Sequence, residues 1–209
     1  MTIEHISNSI YKALQGYPKL DEGELDVHGF STPTQRRLFH NLCEEAGTYL
    51  EVGLFCGGTF CSSFNDGLTA IGIEDYSQDF SRQTVKKELE ENVEKFKHKA
   101  KDVIVHYKDC FKIDKETLPK NIDILFYDAH HDEIYQQMAL PYYVDNMADR
   151  FLYLVDDYNW KQVSDGTKKG LAELSDKIEI EYEVVLRGTF ENNDPIYHNG
   201  IAIFLINKK

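Results

Sequence analysis

Residues 49–75 open on Tyr49-Leu-Glu-Val-Gly-Leu-Phe-Cys-Gly-Gly-Thr59 and close on Ala70-Ile-Gly-Ile-Glu-Asp75. Tyr49 to Val52 reads as a short strand, and it runs into a glycine-rich turn from Gly53 to Gly58. A helix is expected from near Thr59, and Thr69 to Ile73 forms a second strand that stops at an acidic pair. Glycine at a strand-to-helix turn lets the backbone come close to a ligand, and a helix amino end offers unpaired N–H groups. An acidic side chain closing the next strand, here Glu74, suits the two hydroxyls of a ribose. The stretch reads as a nucleoside-binding corner.

The glycine spacing narrows the nucleoside. A dinucleotide fingerprint needs G-x-G-x-x-G, which seats a pyrophosphate on the helix amino end. This chain has Glu51-x-Gly53-x-x-x-Gly57-Gly58, with Glu51 inside the first strand. A carboxylate there repels a pyrophosphate and suits a ligand that carries an ammonium group. A nicotinamide-dependent oxidoreductase is the enzyme alternative that this pattern counts against.

Working outward, 209 residues suit a single domain with a sizeable core. Acidic residues outnumber basic ones 36 to 23, for a formal charge of −13, which disfavours nucleic acid as a partner. No apolar run approaches the roughly 18 residues of a membrane span. The start, Met1-Thr-Ile-Glu-His5, lacks a signal-peptide layout, so a cytoplasmic location is expected. The cysteines at 43, 56, 61 and 110 show neither metal-type spacing nor a disulfide framework, and Cys56 and Cys61 read as small packing residues beside the turn.

Residues 1–32 read as a helical segment with Ile3, Ile6, Ile10 and Leu14 on one face, a candidate part of a substrate lid along with His28. Thr32-Pro33 starts a helix whose buried stripe is Leu38, Leu42 and Ala46. Ser77 is positioned to cap a long charged helix reaching Lys99, with Phe80, Leu89, Val93 and Phe96 on its apolar side. Val103–Tyr107, Ile122–Tyr127 and Phe151–Val155 are further strands, the last two apolar enough to be covered on both faces. Residues 131–148 read as a helix kinked or divided at Pro141, and Val163–Leu174 as another. Ile178–Arg187 and Gly200–Ile206 have only a loop between them, containing Asn193-Asp194-Pro195, and so form an antiparallel pair. The pattern predicts an α/β fold: a doubly wound, mostly parallel seven-stranded sheet with an antiparallel C-terminal hairpin.

Every parallel strand carries or meets an acid: Glu51, Glu74-Asp75, Asp109, Asp128 and Asp156-Asp157. Ligands of open α/β sheets bind at the carboxyl ends of the strands, so these side chains gather along one edge. The fourth strand continues as Asp128-Ala-His-His131 and the fifth as Asp156-Asp-Tyr-Asn-Trp160. Three carboxylates from adjacent strand ends make a set of hard oxygen ligands suited to Mg²⁺ or a similar cation.

With these residues in view, the turn resembles motif I of the class I S-adenosylmethionine-dependent methyltransferases. Asp128 to Leu171 looks like the branch that includes macrocin O-methyltransferase, whose members read Asp-Gly-x-His and then Asp-Asp-Tyr. The resemblance spans roughly residues 48–206. It implies a Rossmann-like methyltransferase fold and S-adenosylmethionine held by Glu51, Gly53, Gly57 and Glu74, with Asp109 and Cys110 near the adenine. It also implies a divalent metal on Asp128, Asp156 and Asp157, and His131 beside the metal as general base or acceptor-steering residue. The chain departs from that branch in two places: Asn146-Met-Ala-Asp-Arg150 replaces a Pro-Gly-Gly turn, and His130 replaces a residue that is usually acidic or small.

The function this implies is metal-assisted O-methylation of a small molecule or sugar, in which a divalent ion lowers the pKa of the acceptor hydroxyl and anchors it. Tyr135, Tyr142, Tyr143 and Trp160 fall on the acceptor side, where either substrate stacking or core packing accounts for them. A non-catalytic cofactor-binding or scaffold module of the same fold is the other alternative. The acceptor's identity and the oligomeric state, a homo-oligomer included, are left open.

Overall fold

The computed structural model describes residues 1–77, 82–188 and 196–209. Seven strands form one sheet: β1 (Thr48–Val52), β2 (Thr69–Ile73), β3 (Asp102–His106), β4 (Ile122–Tyr127), β5 (Met147–Val155), β6 (Ile178–Leu186) and β7 (Ile201–Lys208). Their order is β3-β2-β1-β4-β5-β7-β6, parallel from β3 to β5, with β7 antiparallel to both β5 and β6. The predicted doubly wound sheet with its antiparallel closing pair is the one observed.

The helices are α1 (Ile3–Leu14), α2 (Glu22–Leu25), α3 (Pro33–Cys43), α4 (Gly58–Ser62), α5 (Arg82–Phe96), α6 (Glu133–Tyr143) and α7 (Lys161–Glu173). Strand side chains alternate between faces, and the sheet sorts its apolar residues accordingly. Tyr49, Ala70, Phe126 and Leu154 share one core with residues of α1, α3, α4 and α5, including Ile6, Leu38, Phe60 and Leu89. Leu50, Ile71, Leu125 and Tyr153 share the other with α6 and α7, including Leu140 and Val163. Both faces of β1 and β4 are covered, so these strands read as apolar runs without exposed polar positions. Among the described residues, no helix is long and apolar enough to cross a membrane.

Several boundaries differ from expectation. α1 buries His5, Ile6, Ser9 and Ala13, while Ile3 and Leu14 are exposed, because α3 meets it along a stripe rotated from the predicted one. Thr32 caps α3 through the Gln35 N–H at 3.1 Å with Pro33 at the first position, as read. α5 buries Val85, Leu89 and Phe96, and Phe80 and the Asn193-Asp194-Pro195 turn lie outside the described residues. α6 ends at Tyr143, before the predicted 148, because the chain must turn and start β5 at Met147. Pro141 neither divides α6 nor sits in its middle; it occupies the last turn.

α6 and α7 touch backbone to backbone. A Cβ on Gly166 would lie 2.3 Å from the Glu133 carbonyl oxygen, and one on Gly170 would lie 2.4 Å from that of Gln137. Pro141 has no N–H to give the Gln137 carbonyl, and Gly170 packs over that group. In an open helix Gly166→Ala would stabilise by up to about 1 kcal/mol through propensity. Here overpacking costs about 1–3 kcal/mol and outweighs it. Urea unfolding of Gly166→Ala is expected to show a net loss of stability; a gain would mean that α7 stands farther from α6.

Candidate functional site

The strand order reverses between β1 and β4, and their carboxyl ends define the crevice where ligands of open α/β sheets bind. Gly53 follows β1 with a φ of +90°, and a Cβ there would lie 1.9 Å from the Asp128 carbonyl oxygen. Glycine is required at this point so that two strand ends can approach, a structural demand made before any ligand arrives. Gly57, φ +83°, is the amino cap of α4, and its missing Cβ leaves space for Leu89 of α5. Gly57 is not on the pocket wall described below.

Glu74 clasps the turn. Its Oε2 accepts from the Leu54 and Phe55 N–H groups at 2.8 and 2.9 Å, and its Oε1 accepts from the Tyr76 N–H at 2.7 Å. A carboxylate offers about four lone-pair sites, so these bonds leave room for about one more. Within the turn the Gly57 N–H donates to the Leu54 carbonyl at 2.7 Å, and Glu74 supplies the acceptor for the Leu54 and Phe55 N–H groups, since unpaired buried amides are costly. The sequence assigns Glu74 to two ribose hydroxyls; its carboxylate already accepts three backbone N–H groups and keeps about one acceptor position.

Glu51 is fully buried beneath the turn and absent from the pocket wall. Tyr49 Oη donates to its Oε2 and Thr59 Oγ1 to its Oε1, both at 2.5 Å. Burial pushes its carboxyl up to about 8, against the opposing effect of the Thr59 and Tyr49 hydrogen bonds. Burial thus disfavours the ionised form of Glu51, the side chain that the sequence reading had offered to an ammonium group.

A pocket of about 340 Å³ opens over the crevice, with walls from β1 and β2 (Gly53, Glu74, Asp75), from Cys110 beyond β3, and from Asp128 and His131 beyond β4. Phe30 and Phe55 bracket its mouth, their ring centroids 5.6 Å apart. Tyr76 is also in the wall, and its hydroxyl is buried without a hydrogen-bond partner. Cys110 is in the wall with a thiol that burial pushes up to about 12. Asp109 is not; it accepts from the Phe111 N–H at 2.9 Å and pairs with Lys112 at 2.8 Å, which holds its carboxyl below the usual range. Of residues 1–32, Phe30 alone lines this pocket. The sequence reading named Asp75 among the strand-end acids but passed over Phe30, Phe55, Tyr76 and Lys108; aromatic residues two positions after His28 and inside the glycine turn were the available signal.

Asp128, Asp156, Asp157 and His131 do come together. His131 Nε2 lies 3.1 Å from Asp157 Oδ2 and 3.6 Å from Asp128 Oδ1, within ion-pairing range but off the axis of a hydrogen bond. Asp157 is buried at a left-handed φ of 52°, and Asp156 Oδ1 accepts from Gln35 Nε2 at 3.2 Å. Burial, followed by neighbouring carboxylates, raises the Asp128 and Asp156 carboxyls well above the usual range. The three acids do not converge as a ready ligand set. Among the described residues, the group with one donor atom each within 4.8 Å of the others is His28, Cys56 and Glu88. His131 stands between Asp128 and Asp157, and the three carboxylates repel one another.

The aromatic residues divide. Tyr142 and Tyr143 donate to the Ile113 and Cys110 carbonyls and belong to the core. Trp160 stands edge-on to His131 at 5.2 Å, and Tyr135 stacks on His130 at 4.3 Å.

The raised Glu51 carboxyl has a consequence for stability. The folded protein holds this proton more tightly than the unfolded chain, so stability is full below the ordinary value of 4.5 and falls as pH rises to about 8. The slope from this group is at most about 1.4 kcal/mol per pH unit. Denaturation between pH 5 and 8 is expected to show a shallower decline in Glu51→Gln than in the parent, with Asp128 and Asp156 supplying the remainder. Parallel profiles would mean that Glu51 ionises normally.

No protein-family model matches the chain, and no curated protein sequence matches it significantly. Solved structures do. An O-methyltransferase from Bacillus cereus in complex with SAH superposes with a TM-score of 0.64 at 12% identity, over 99% of this chain and 92% of that one. The O-methyltransferase TomG from Streptomyces achromogenes, in complex with SAM, gives 0.59 at 14% identity over 99% and 91%. A methyltransferase from Geobacter sulfurreducens gives 0.59 at 13% identity over 96% and 87%. The strand order, the antiparallel closing strand and these superpositions together identify the Rossmann-like fold that these methyltransferase structures share.

Proposed function

We propose that the protein is an S-adenosylmethionine-dependent methyltransferase that acts on an oxygen atom of a small molecule or sugar. The observation that carries this reading is the charge of the pocket. Its walls hold Glu74 and Asp75 against one lysine, Lys108, with the Asp128 carboxyl, which burial raises, beside them. Such a wall repels phosphates and favours a cationic ligand. S-adenosylmethionine supplies a methyl group on a cationic sulfonium and carries an ammonium. The pocket's 340 Å³ lies within the roughly 300–1,000 Å³ of small-molecule sites, towards the lower end.

In this reading Gly53 and Asp128 face the methionine part, Asp75 and the remaining lone pair of Glu74 serve the ribose, and Ile73 and Cys110 cover the adenine. Glu51, Gly57 and Asp109 support the site from behind the wall. Phe30 and Phe55 close the mouth against water, and residues 28–32 are the part of the amino-terminal segment that acts as a lid. His131 takes the acceptor's proton, with Asp157 and Asp128 orienting the imidazole and stabilising its charged form. His130 with Tyr135, and Trp160, offer aromatic surface to the acceptor.

A divalent cation of the Mg²⁺ type belongs to the proposal as a separate element. Asp128, Asp156 and Asp157 provide the hard oxygen donors that such an ion takes. Their present spacing does not form its cage, so the proton step above is assigned to His131 without it.

Calorimetry is expected to show binding of S-adenosylhomocysteine and its weakening by about 10- to 100-fold in Glu74→Ala, from roughly 1.5–3 kcal/mol for a hydrogen bond to a charged group. Preferential binding of NADH would overturn the reading. With an accepted hydroxyl substrate, His131→Ala is expected to lower turnover about 10²–10⁴-fold. It should also erase the limb of the pH–rate profile that imidazole deprotonation produces, while leaving S-adenosylhomocysteine affinity intact. An unchanged profile would make His131 structural, and repeating it in excess chelator tests whether a cation contributes.

A further inference from the structure

We propose that His28, Cys56 and Glu88 form a Zn²⁺ site that fastens the segment after α2 to the glycine turn and to α5. The three residues come from three separate pieces of chain: the loop before α3, the turn between β1 and α4, and the first half of α5. Cys56 Sγ lies 3.0 Å from Glu88 Oε2 and 3.8 Å from His28 Nδ1, and His28 Nδ1 lies 3.5 Å from Glu88 Oε2. Zinc binds sulfur at about 2.3 Å, imidazole nitrogen at about 2.0–2.1 Å and carboxylate oxygen at about 2.0–2.2 Å, in tetrahedral geometry. Those bond lengths place neighbouring ligand atoms about 3.4–3.6 Å apart. The observed triangle already approximates one face of that tetrahedron, and each atom needs to shift by only a few tenths of an ångström.

The chemistry of the donor set chooses the metal. A thiolate with an imidazole and one carboxylate favours zinc over the hard cations that prefer oxygen alone. Cys56 is fully buried at the base of the site, while His28 and Glu88 form its rim with side-chain exposures of 66% and 40%. This leaves the fourth position facing solvent for water. A surface His–Glu ion pair by itself contributes little, about 0–1 kcal/mol. Nor does such a pair call for a buried thiol within reach of both partners. Asn92 Nδ2 donates to the Cys56 carbonyl at 2.9 Å and holds the turn against α5 from the other side.

The site is distinct from the pocket, since none of its three residues is in the pocket wall. It adjoins the pocket mouth through Phe55, next in sequence to Cys56, and Phe30, two residues after His28. When the metal binds, the Cys56 S–H bond breaks, its proton leaves to solvent and a sulfur–metal bond forms. Affinity therefore rises with pH.

The test uses the full chain, stripped of metal with a chelator and titrated with Co²⁺, which reports thiolate ligation by a charge-transfer band in the near ultraviolet. The band is expected in the parent protein, to be displaced by Zn²⁺ and to be lost in Cys56→Ser. Loss of a partner behind a metal ligand already weakens binding about 10–100-fold. Removing a ligand, in His28→Ala or Glu88→Gln, should therefore cost more than about 100-fold. These two rim positions are exposed, so their folding is secure even if Cys56→Ser fails to fold. Absence of the band in the parent, its survival in Cys56→Ser, or parent-like Co²⁺ affinity in either rim variant would overturn the site.

Discussion

The contact on which the rest of the structure depends is the close approach of Gly53 to the Asp128 carbonyl. It joins the ends of β1 and β4 at the seam where the sheet reverses its winding. A Cβ at 1.9 Å cannot be accommodated by rotating a side chain, because the obstruction is backbone. With that contact in place, the β1–α4 turn is thrown over the strand ends and the crevice has a floor. The main-chain bonds Gly53 N–H to the Ile73 carbonyl at 2.9 Å and Asp128 N–H to the Val52 carbonyl at 2.8 Å extend the ladder to its last residue. The pocket begins where those bonds stop.

A second theme is the cost of placing acids along one sheet edge, which the protein meets in three ways. Glu51 has its carboxyl raised, because burial disfavours ionisation by more than two hydrogen bonds offset. Glu74 stays half-buried by accepting three backbone N–H groups that would otherwise lack partners. Asp157 stands against the His131 imidazole. Of these three, Glu74 is in the pocket wall, while Glu51 and Asp157 are not.

The segment between α2 and α3 carries its own constraint. Arg36, 2% exposed, donates to the Glu24, Leu25 and Val27 carbonyls at 2.8, 2.9 and 2.7 Å and to Ser31 Oγ at 2.9 Å. One planar guanidinium thus gathers a loop that has no ladder of its own. The same loop carries His28 and Phe30 to the glycine turn. The fit is close: a Cβ on Gly58 would lie 2.7 Å from an Arg36 nitrogen.

The sequence by itself determined the class of fold, because apolar runs, strand-to-helix turns and the closing pair of strands are local patterns. β2 and β4 were legible to the residue, and the crevice was legible because parallel strands bring their carboxyl ends to one edge. What each acid does there was not legible. Glu51, Glu74 and Asp109 look alike in sequence, yet one is fully buried under two hydroxyl donors, one clasps a turn and one pairs with a lysine. Those outcomes depend on burial and on neighbours far apart in the chain. The group of His28, Cys56 and Glu88 shows the same limit, since spacings of 28 and 32 residues match no metal motif. Only the packing of the loop, the turn and α5 decided that a thiol, an imidazole and a carboxylate would meet, because ligand geometry is a property of space and not of sequence separation.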